Sequence, residues 1–359
     1  MRLFSYFKRR IVNVPYINIL FVNLFKNRYL SQEIWGREIM GDAIEKQINL
    51  FVSGEKINTR YIEKLTTDII LSYLRYGAIP SEYFLFDFPN SNHKRRSSFL
   101  TVKHKDEVMV DKVGMGWNYD ILDNKAMFYE KFKDYFNRDV CLVRNLEDFM
   151  SFKTFISKHP VFIAKPLNGQ CGKGIRKIDI AEYKSEQMIF TQLCKEGMWI
   201  CEELIVAVEE ISQWHPKSLN SVRINSFINS RGFFILKPFF RCGRGNAFVD
   251  NANSGGILAV IDEKTGLIKT DGVDMCGIFY EKHPESSIVF KGFQIPQWQE
   301  LLSLTEKIHR LEMPSYPYVG WDFALTERGW SLIEGNWGQF VSEYADREGI
   351  KEKFDSMFD

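Results

Sequence analysis

The chain has 359 residues, 45% of them hydrophobic and 26% charged, enough for two or three substructures around a large buried core. Lysine and arginine number 47 against 46 acids, so no global field draws this chain to nucleic acid. The six cysteines, Cys141, Cys171, Cys194, Cys201, Cys242 and Cys276, form no Cys-x-x-Cys pair, which argues against a zinc site or disulfide framework and fits reduced thiols in the cytoplasm.

Arg2, Lys8, Arg9, Arg10, Lys26 and Arg28 all precede the first acid, Glu33. Between them runs an apolar stretch, residues 11–25, broken by Asn13, Pro15, Asn18 and Asn23. It falls short of the roughly 20 apolar residues a spanning helix needs. It also lacks the small-residue cleavage site of a signal peptide. Two readings stay open: a packed N-terminal helix with a solvated basic end, or peripheral contact with the anionic inner face of a membrane. Met40, Ile44, Ile48 and Phe51 repeat at helical spacing within 37–52, as do Ile62, Leu65, Ile69 and Tyr73 within 60–76. Gly77 and Pro80 stop the second of these. Ser91 to Ser98 is polar and basic and reads as an exposed loop. Residues 1–112 are thus expected to be a mainly helical lobe.

From Val113 the texture changes to mostly antiparallel strands with interspersed helices, an α+β pattern rather than a doubly wound parallel sheet. Regions 113–200 and 201–359 are expected to be two further subdomains. Asp123-Asn124-Lys125 precedes a helix carrying Phe128, Phe132 and Phe136 on one face. A buried strand VFIAKP (161–166), a glycine-rich loop, a strand IRKIDI (175–180), a helix over 181–196 and a strand WICEELI (199–205) follow. Beyond them VRINSFI and FFILKPFF read as long strands joined by Asn229-Ser230-Arg231-Gly232. A hairpin with its turn near Thr265-Gly266, a helix over 297–312 and a last hairpin, 318–338, complete the chain.

That last hairpin, YVGWDFALTERGWSLIEGNWG, carries the strongest chemical signal. Glu334 and Asn336 stand two apart on a strand and project to one face, with Asp322 across the hairpin from Glu334. Two carboxylates and an amide oxygen make a hard, all-oxygen set that suits Mg²⁺ and points to nucleoside triphosphate chemistry. Solvent-facing hairpin residues are the bland alternative. The second signal is FIAKPLNGQCGKGI, where Lys165 ends a buried strand and Gly169, Gly172 and Gly174 follow. Glycines let backbone N–H groups wrap phosphate oxygens, and an ammonium adds full charge. The spacing is not that of a P-loop, and no Ser or Thr follows Lys173. An ordinary flexible turn competes, although a lysine in an apolar strand needs a charged partner. Third, Glu202 and Glu203 in CEELI are either a hinge whose backbone reads adenine or plain exposed acids. Fourth, Arg223, Arg241 and Arg244 lie on or beside strands and offer planar donors to phosphoryl or carboxylate oxygens. The polar run 250–256 after them is either a substrate loop or a surface loop.

In this order the residues resemble the ATP-grasp superfamily over roughly 115–345: Asp-x-Lys before a helix, a strand lysine with a glycine loop, an acidic hinge, strand arginines, then Asp…Glu-x-Asn. The stretches SLNSVRI, FFRCGRG…VDNANSGGI and IEGNWG are similar to a narrower group, the sugar-transfer-associated ATP-grasp proteins, which are related to alpha-L-glutamate ligases and linked to bacterial surface-polysaccharide synthesis. The resemblance implies two α+β subdomains sandwiching ATP. Lys125 and Lys165 would contact its phosphates, Gly169, Gly172, Lys173 and Gly174 would close over them, and Glu202, Glu203 and Ile205 would bind adenine. Glu209 would meet the ribose, while Asp322, Glu334 and Asn336 would hold Mg²⁺. Arg223 and Arg241, with Asn251 beside them, would form the catalytic set. The implied activity is ATP-dependent carboxylate–amine ligation through an acyl phosphate, on small-molecule substrates that include glycan-linked ones. A kinase acting on a sugar or carrier, or a non-catalytic nucleotide-binding subunit, are the rivals. One departure stands out: many such ligases open with a Rossmann-like lobe, whereas this N-terminal region reads as helical.

Overall fold

The computed structural model describes residues 14, 17–34, 38–52, 58–113, 120–167, 174–337 and 343–358. The chain divides into two compact units, the first formed by Met1–Trp117, Cys276–Ile278 and Asp346–Asp359, the second by Asn118–Met275 and Phe279–Ala345. None of the helices among the described residues is long and apolar enough to cross a membrane.

The first unit is helical: α1 (Ile17–Leu30), α2 (Met40–Phe51), α3 (Thr59–Tyr76), α4 (Pro80–Leu85), α5 (His93–Ser98) and α6 (Val102–Val113). Asn58 caps α3 by accepting from the Tyr61 N–H, and Gly77 ends it in the left-handed conformation (φ 77°) that glycine adopts without a Cβ penalty. Segment 91–98 corrects the expected loop. It is exposed, but it is helix α5, capped by Asn92 and anchored by Arg96, whose guanidinium makes two 2.9 Å bonds to Asp68. A long-range charge partner, invisible in the local sequence, orders it. Phe86 and Phe99 stack at 4.5 Å in the core of this unit.

The second unit contains two antiparallel sheets. The smaller runs in the order β1-β4-β2-β3, built from β1 (Val140–Val143), β2 (Val161–Pro166), β3 (Arg176–Asp179) and β4 (Trp199–Glu203). Strand alternation assigns its faces. Phe162, Ala164, Trp199 and Cys201 pack on helices α9 (Phe149–Lys158) and α10 (Glu186–Glu196), leaving Ile163, Lys165 and Glu202 on the other face. Strand β1 and helix α9 were absent from the sequence reading. The helix expected at 181–196 starts only at Glu186, where Ser185 caps it.

The larger sheet has eight strands in the order β10-β9-β8-β7-β5-β11-β12, with β6 also on β5. Its members are β5 (Val222–Asn229), β6 (Gly232–Ile235), β7 (Phe239–Cys242), β8 (Ile257–Val260), β9 (Gly272–Val273), β10 (Phe279–Tyr280), β11 (Tyr318–Thr326) and β12 (Gly329–Asn336). FFILKPFF is therefore two strands, not one. Lys237 takes a positive φ (42°) and Pro238 has no N–H to give the ladder, so the chain breaks step and re-pairs further along β5. Helix α11 (Glu209–Ser212) follows β4, and α12 (Trp298–Glu312) covers the larger sheet through Ile308 and His309, both fully buried. Two helices, α7 (Asp120–Asp123) and α8 (Lys125–Phe132), lie against β12, with Phe128, Phe132 and Phe136 all buried as the spacing predicts.

A candidate nucleotide site between the two sheets

The hairpin β11–β12 pairs Asp322 directly with Glu334, and a bulge then shifts the register so that Phe323 faces Leu332. The extra residue is Ile333. Bulges re-aim side chains, and here two successive residues, Ile333 and Glu334, both line one cleft instead of alternating. The Asn336 amide nitrogen lies 3.5 Å from Asp322 and 3.4 Å from Glu334, so the three predicted oxygen-bearing residues meet. Gly335 between them has a steric reason. A Cβ there would come within 2.8 Å of Leu122 on α7 and of Phe128 on α8.

The cleft has a volume of about 590 Å³. The smaller sheet contributes Lys165, Lys177 and Glu202, the larger sheet Arg241, Asp322 and Glu334, and Lys125 reaches in from the start of α8. Asn124 caps that helix, accepting from the Ala126 and Met127 N–H groups, so the positive end of α8 and the Lys125 ammonium share one position. Burial pulls the Lys125 pKa down, Glu334 works against the fall, and Lys165 adds to it. An anion between the two lysines would relieve that repulsion. Apolar walls come from Ile163, Ile175, Ile205, Phe248 and Ile333.

Asp322 is fully buried and never meets solvent as a bare charge. Arg223 donates through Nε to Oδ1 and through Nη2 to Oδ2 (2.9 Å), and Arg241 forms an ion pair with its Nη2 3.0 Å from Oδ2. Burial opposes the carboxylate, but Arg223 and then Arg241 outweigh it and hold Asp322 well below the usual carboxylate range. The opposite holds for Glu334. Depth in the cleft and then the Asp322 charge push its carboxyl up, although its side chain stays open to solvent. Two adjacent carboxylates, one held by arginines and the other within reach of the Lys125 charge, leave Glu334 with oxygens open to the cleft. Hard oxygen donors in that state fit a divalent ion such as Mg²⁺.

The predicted catalytic arginines separate. Arg241 lines the cleft, fixed by two bonds from Nε and Nη2 to Ser221 Oγ (3.1 and 2.7 Å). Arg223 lies behind the wall and positions Asp322 instead of facing the cleft. Asn251 lines the cleft, and its neighbour Asp250 accepts from the Ser221 N–H at 2.7 Å, tying this polar run to the start of β5.

Glu202 and Glu203 line the cleft with Ile205, where β4 has ended and the backbone leaves the sheet. Their carboxylates are not simply exposed. Glu202 is buried, with Lys165 Nζ 2.8 Å from Oε1 and Arg138 Nε donating to Oε2 at 2.7 Å. Burial works against its charge, yet Arg138 and Lys165 bring its pKa down to about 2. Glu203 accepts from the Asp139 N–H at 2.9 Å and from Arg328. Glu209 sits exposed at the start of α11 and is not part of the cleft wall, whereas Ser212 of the same helix is. Gly174 has φ 77°, and Gly169, Gly172 and Lys173 lie outside the described residues.

Sequence reading missed Arg138, Lys177 and Ser221. Lys177 was accessible to it, since β3 pairs Lys177 with Ile163 and so sets it on the Lys165 face. Arg138 gave no local signal, because its partner is 64 residues away.

Paired antiparallel sheets around a cleft, with lysines on one wall and Asp322 and Glu334 on the other, accord with an ATP-grasp protein of α+β class. The chain belongs to the family described as sugar-transfer associated ATP-grasp, whose model matches residues 109–357. No curated protein matches it. Among solved structures it is similar to D-alanyl-alanine synthetase A from Vibrio cholerae O1 biovar eltor, at 12% identity and a TM-score of 0.41 over 66% of this chain and 64% of that one. The D-alanine–D-alanine ligase from Helicobacter pylori gives 13% identity and a TM-score of 0.41 over 66% and 60%. An N5-carboxyaminoimidazole synthetase from Staphylococcus aureus gives 12% and 0.37 over 62% and 46%. The chain thus spans 46% to 64% of the length of these neighbours. The family model, not these distant structures, carries the assignment.

Proposed function

We infer that this protein binds Mg·ATP in the cleft and ligates a small-molecule carboxylate to an amine, with release of ADP and phosphate. The observation that carries this reading is the meeting of Lys125, Lys165, Arg241, Asp322 and Glu334 on the walls of one cleft. In this reading residues 113–200 and 201–359 are the small and large ATP-grasp subdomains.

The chemistry explains why such a cleft is needed. A carboxylate is a poor acyl donor, because its charge repels nucleophiles and oxide does not leave. Attack by its oxygen on the γ-phosphorus breaks the bond to the β-phosphate and gives ADP and an acyl phosphate. The amine then attacks the acyl carbon, inorganic phosphate departs with the bonding pair, and the nitrogen gives up one proton to the departing phosphate or to water. Lys125 and Lys165 offset the phosphate charge as two anions approach, and Arg241, its plane fixed by Ser221, faces the transferred group. Glu334 and Asn336, with a share of Asp322, would hold Mg²⁺, which supplies Lewis-acid stabilisation of phosphoryl charge. The apolar wall at Ile163, Ile205 and Ile333 suits the faces of a purine. The family's association with sugar transfer supports a sugar or amino-acid-like precursor of a surface glycan as substrate, handled in the cytoplasm.

Product analysis tests this. The full chain is incubated with Mg·ATP and a panel of carboxylates, with and without amines. Ligation predicts ADP and free phosphate in equal amounts, dependent on both substrates, and a new amide in the product. Phosphate retained on an acceptor without any amine would instead make it a kinase.

A further inference from the structure

We propose that the outward face of helix α1 is a docking surface for an anionic lipid bilayer, on which the helix lies without crossing it. Ile17, Leu20 and Leu24 are 51%, 63% and 75% exposed. Their spacing of three and four places them on one line of the helix, and Arg28 continues that line by another turn. The opposite side is the packed one, where Asn18, Val22 and Tyr29 are buried. Asn23 and Asn27 are exposed beside this line, yet a single exposed leucine needs no explanation whereas an aligned apolar stripe does.

Charge selects the occupant. Arg2, Lys8, Arg9, Arg10, Lys26 and Arg28 precede the first acid of the chain, Glu33. The whole chain carries only +1, so everything after this basic segment is net acidic. A second copy docking through the same face would meet Lys26 and Arg28 with like charge. An anionic headgroup layer matches the described helix, taking Lys26 and Arg28 at headgroup level and the Ile17–Leu24 stripe among the upper acyl carbons. Its 14 described residues span about 21 Å, short of the roughly 30 Å hydrocarbon layer, which suits a helix lying along the interface. This proposal does not rest on the ligase reading.

Flotation of the full chain with vesicles tests it. Phosphatidylcholine–phosphatidylglycerol vesicles should carry the protein at least about tenfold better than pure phosphatidylcholine vesicles, and high salt should weaken the binding. The double variant Leu20→Glu/Leu24→Glu and, separately, Lys26→Glu/Arg28→Glu should each lose flotation while keeping the wild-type unfolding midpoint. Changing only exposed positions in the first variant guards against a trivial loss of fold. Absence of flotation by the wild type, or flotation by the apolar-stripe variant equal to wild type, overturns the proposal. So does a concentration-dependent dimer that Leu20→Glu/Leu24→Glu dissociates, which would assign this face to a second copy.

Discussion

Glu202 keeps its charge in a place where a lone carboxylate would be driven to take up a proton. Arg138 on one side and Lys165 on the other make that possible. Arg138 is itself fixed from the larger sheet, donating through Nη1 to the Leu332 carbonyl at 2.7 Å and to Ser331 Oγ at 2.9 Å. The chain Leu332–Arg138–Glu202–Lys165 therefore ties the lysine of one cleft wall to the hairpin that forms the other. Removing one member of a buried ion pair leaves an uncompensated charge, at a cost of about 3–5 kcal/mol. Arg138→Ala should lower unfolding stability by that order in urea titration, and it should weaken ATP binding because Lys165 loses its anchor. Wild-type stability in the variant would show that this network carries no load.

At the scale of elements, the two hairpin strands and the helix over them set both geometry and pH response. His309 of α12 is fully buried, and its ring accepts no solvent. Its Nε2 lies 2.7 Å from the Tyr316 carbonyl and its Nδ1 2.8 Å from Ser226 Oγ. The neutral ring that donates from Nε2 and accepts at Nδ1 satisfies both partners, a tautomer read from the hydrogen-bond network. Burial lowers its pKa to about 4, with the Tyr316 carbonyl opposing and Arg310 assisting. A folded pKa below the unfolded value near 6.5 means the unfolded chain binds the proton more readily. The stability held by neutral His309 is complete above about pH 6.5 and is lost as pH falls towards about 4. Between pH 7 and pH 5 the unfolding free energy of the wild type, from urea titrations, should shift towards instability by about 2 kcal/mol more than that of His309→Gln. The difference between the two proteins is the readout, because Glu82, pushed up to about 8 by burial, moves stability the opposite way in both. An equal shift in the variant would place the responsible group elsewhere. Glu202, with a pKa of about 2, adds a second loss of the same sign only below about pH 4.5.

Across the whole molecule, legibility followed sequence separation. The β11–β12 hairpin, the N-terminal helices and the lysine strand β2 could be read because their signals are local: alternation, helical spacing and glycine stops. The bulge at Ile333, the break at Lys237-Pro238 and helix α5 could not, since each is set by a partner strand or by a charge far along the chain. In the site, residue types were legible while their partnerships were not. Arg223 was expected to face phosphate and instead neutralises Asp322, because a buried carboxylate at the centre of a sheet needs a fixed cation. The N-terminal helical region was legible as helix, but nothing in its period reveals which face stays outside.

In the proposed function Asp322, Glu334 and Asn336 bind a divalent ion beneath a triphosphate held by Lys125 and Lys165. Calorimetric titration of the full chain with ATP, in the presence and absence of Mg²⁺, addresses this most directly. Saturable binding with a Kd below about 1 mM is expected with Mg²⁺. Glu334→Gln, folded as judged by its unfolding midpoint, should bind Mg·ATP at least about tenfold more weakly, a difference near 1.4 kcal/mol. No heat of binding from the wild type, or equal affinity in Glu334→Gln, would contradict the assignment.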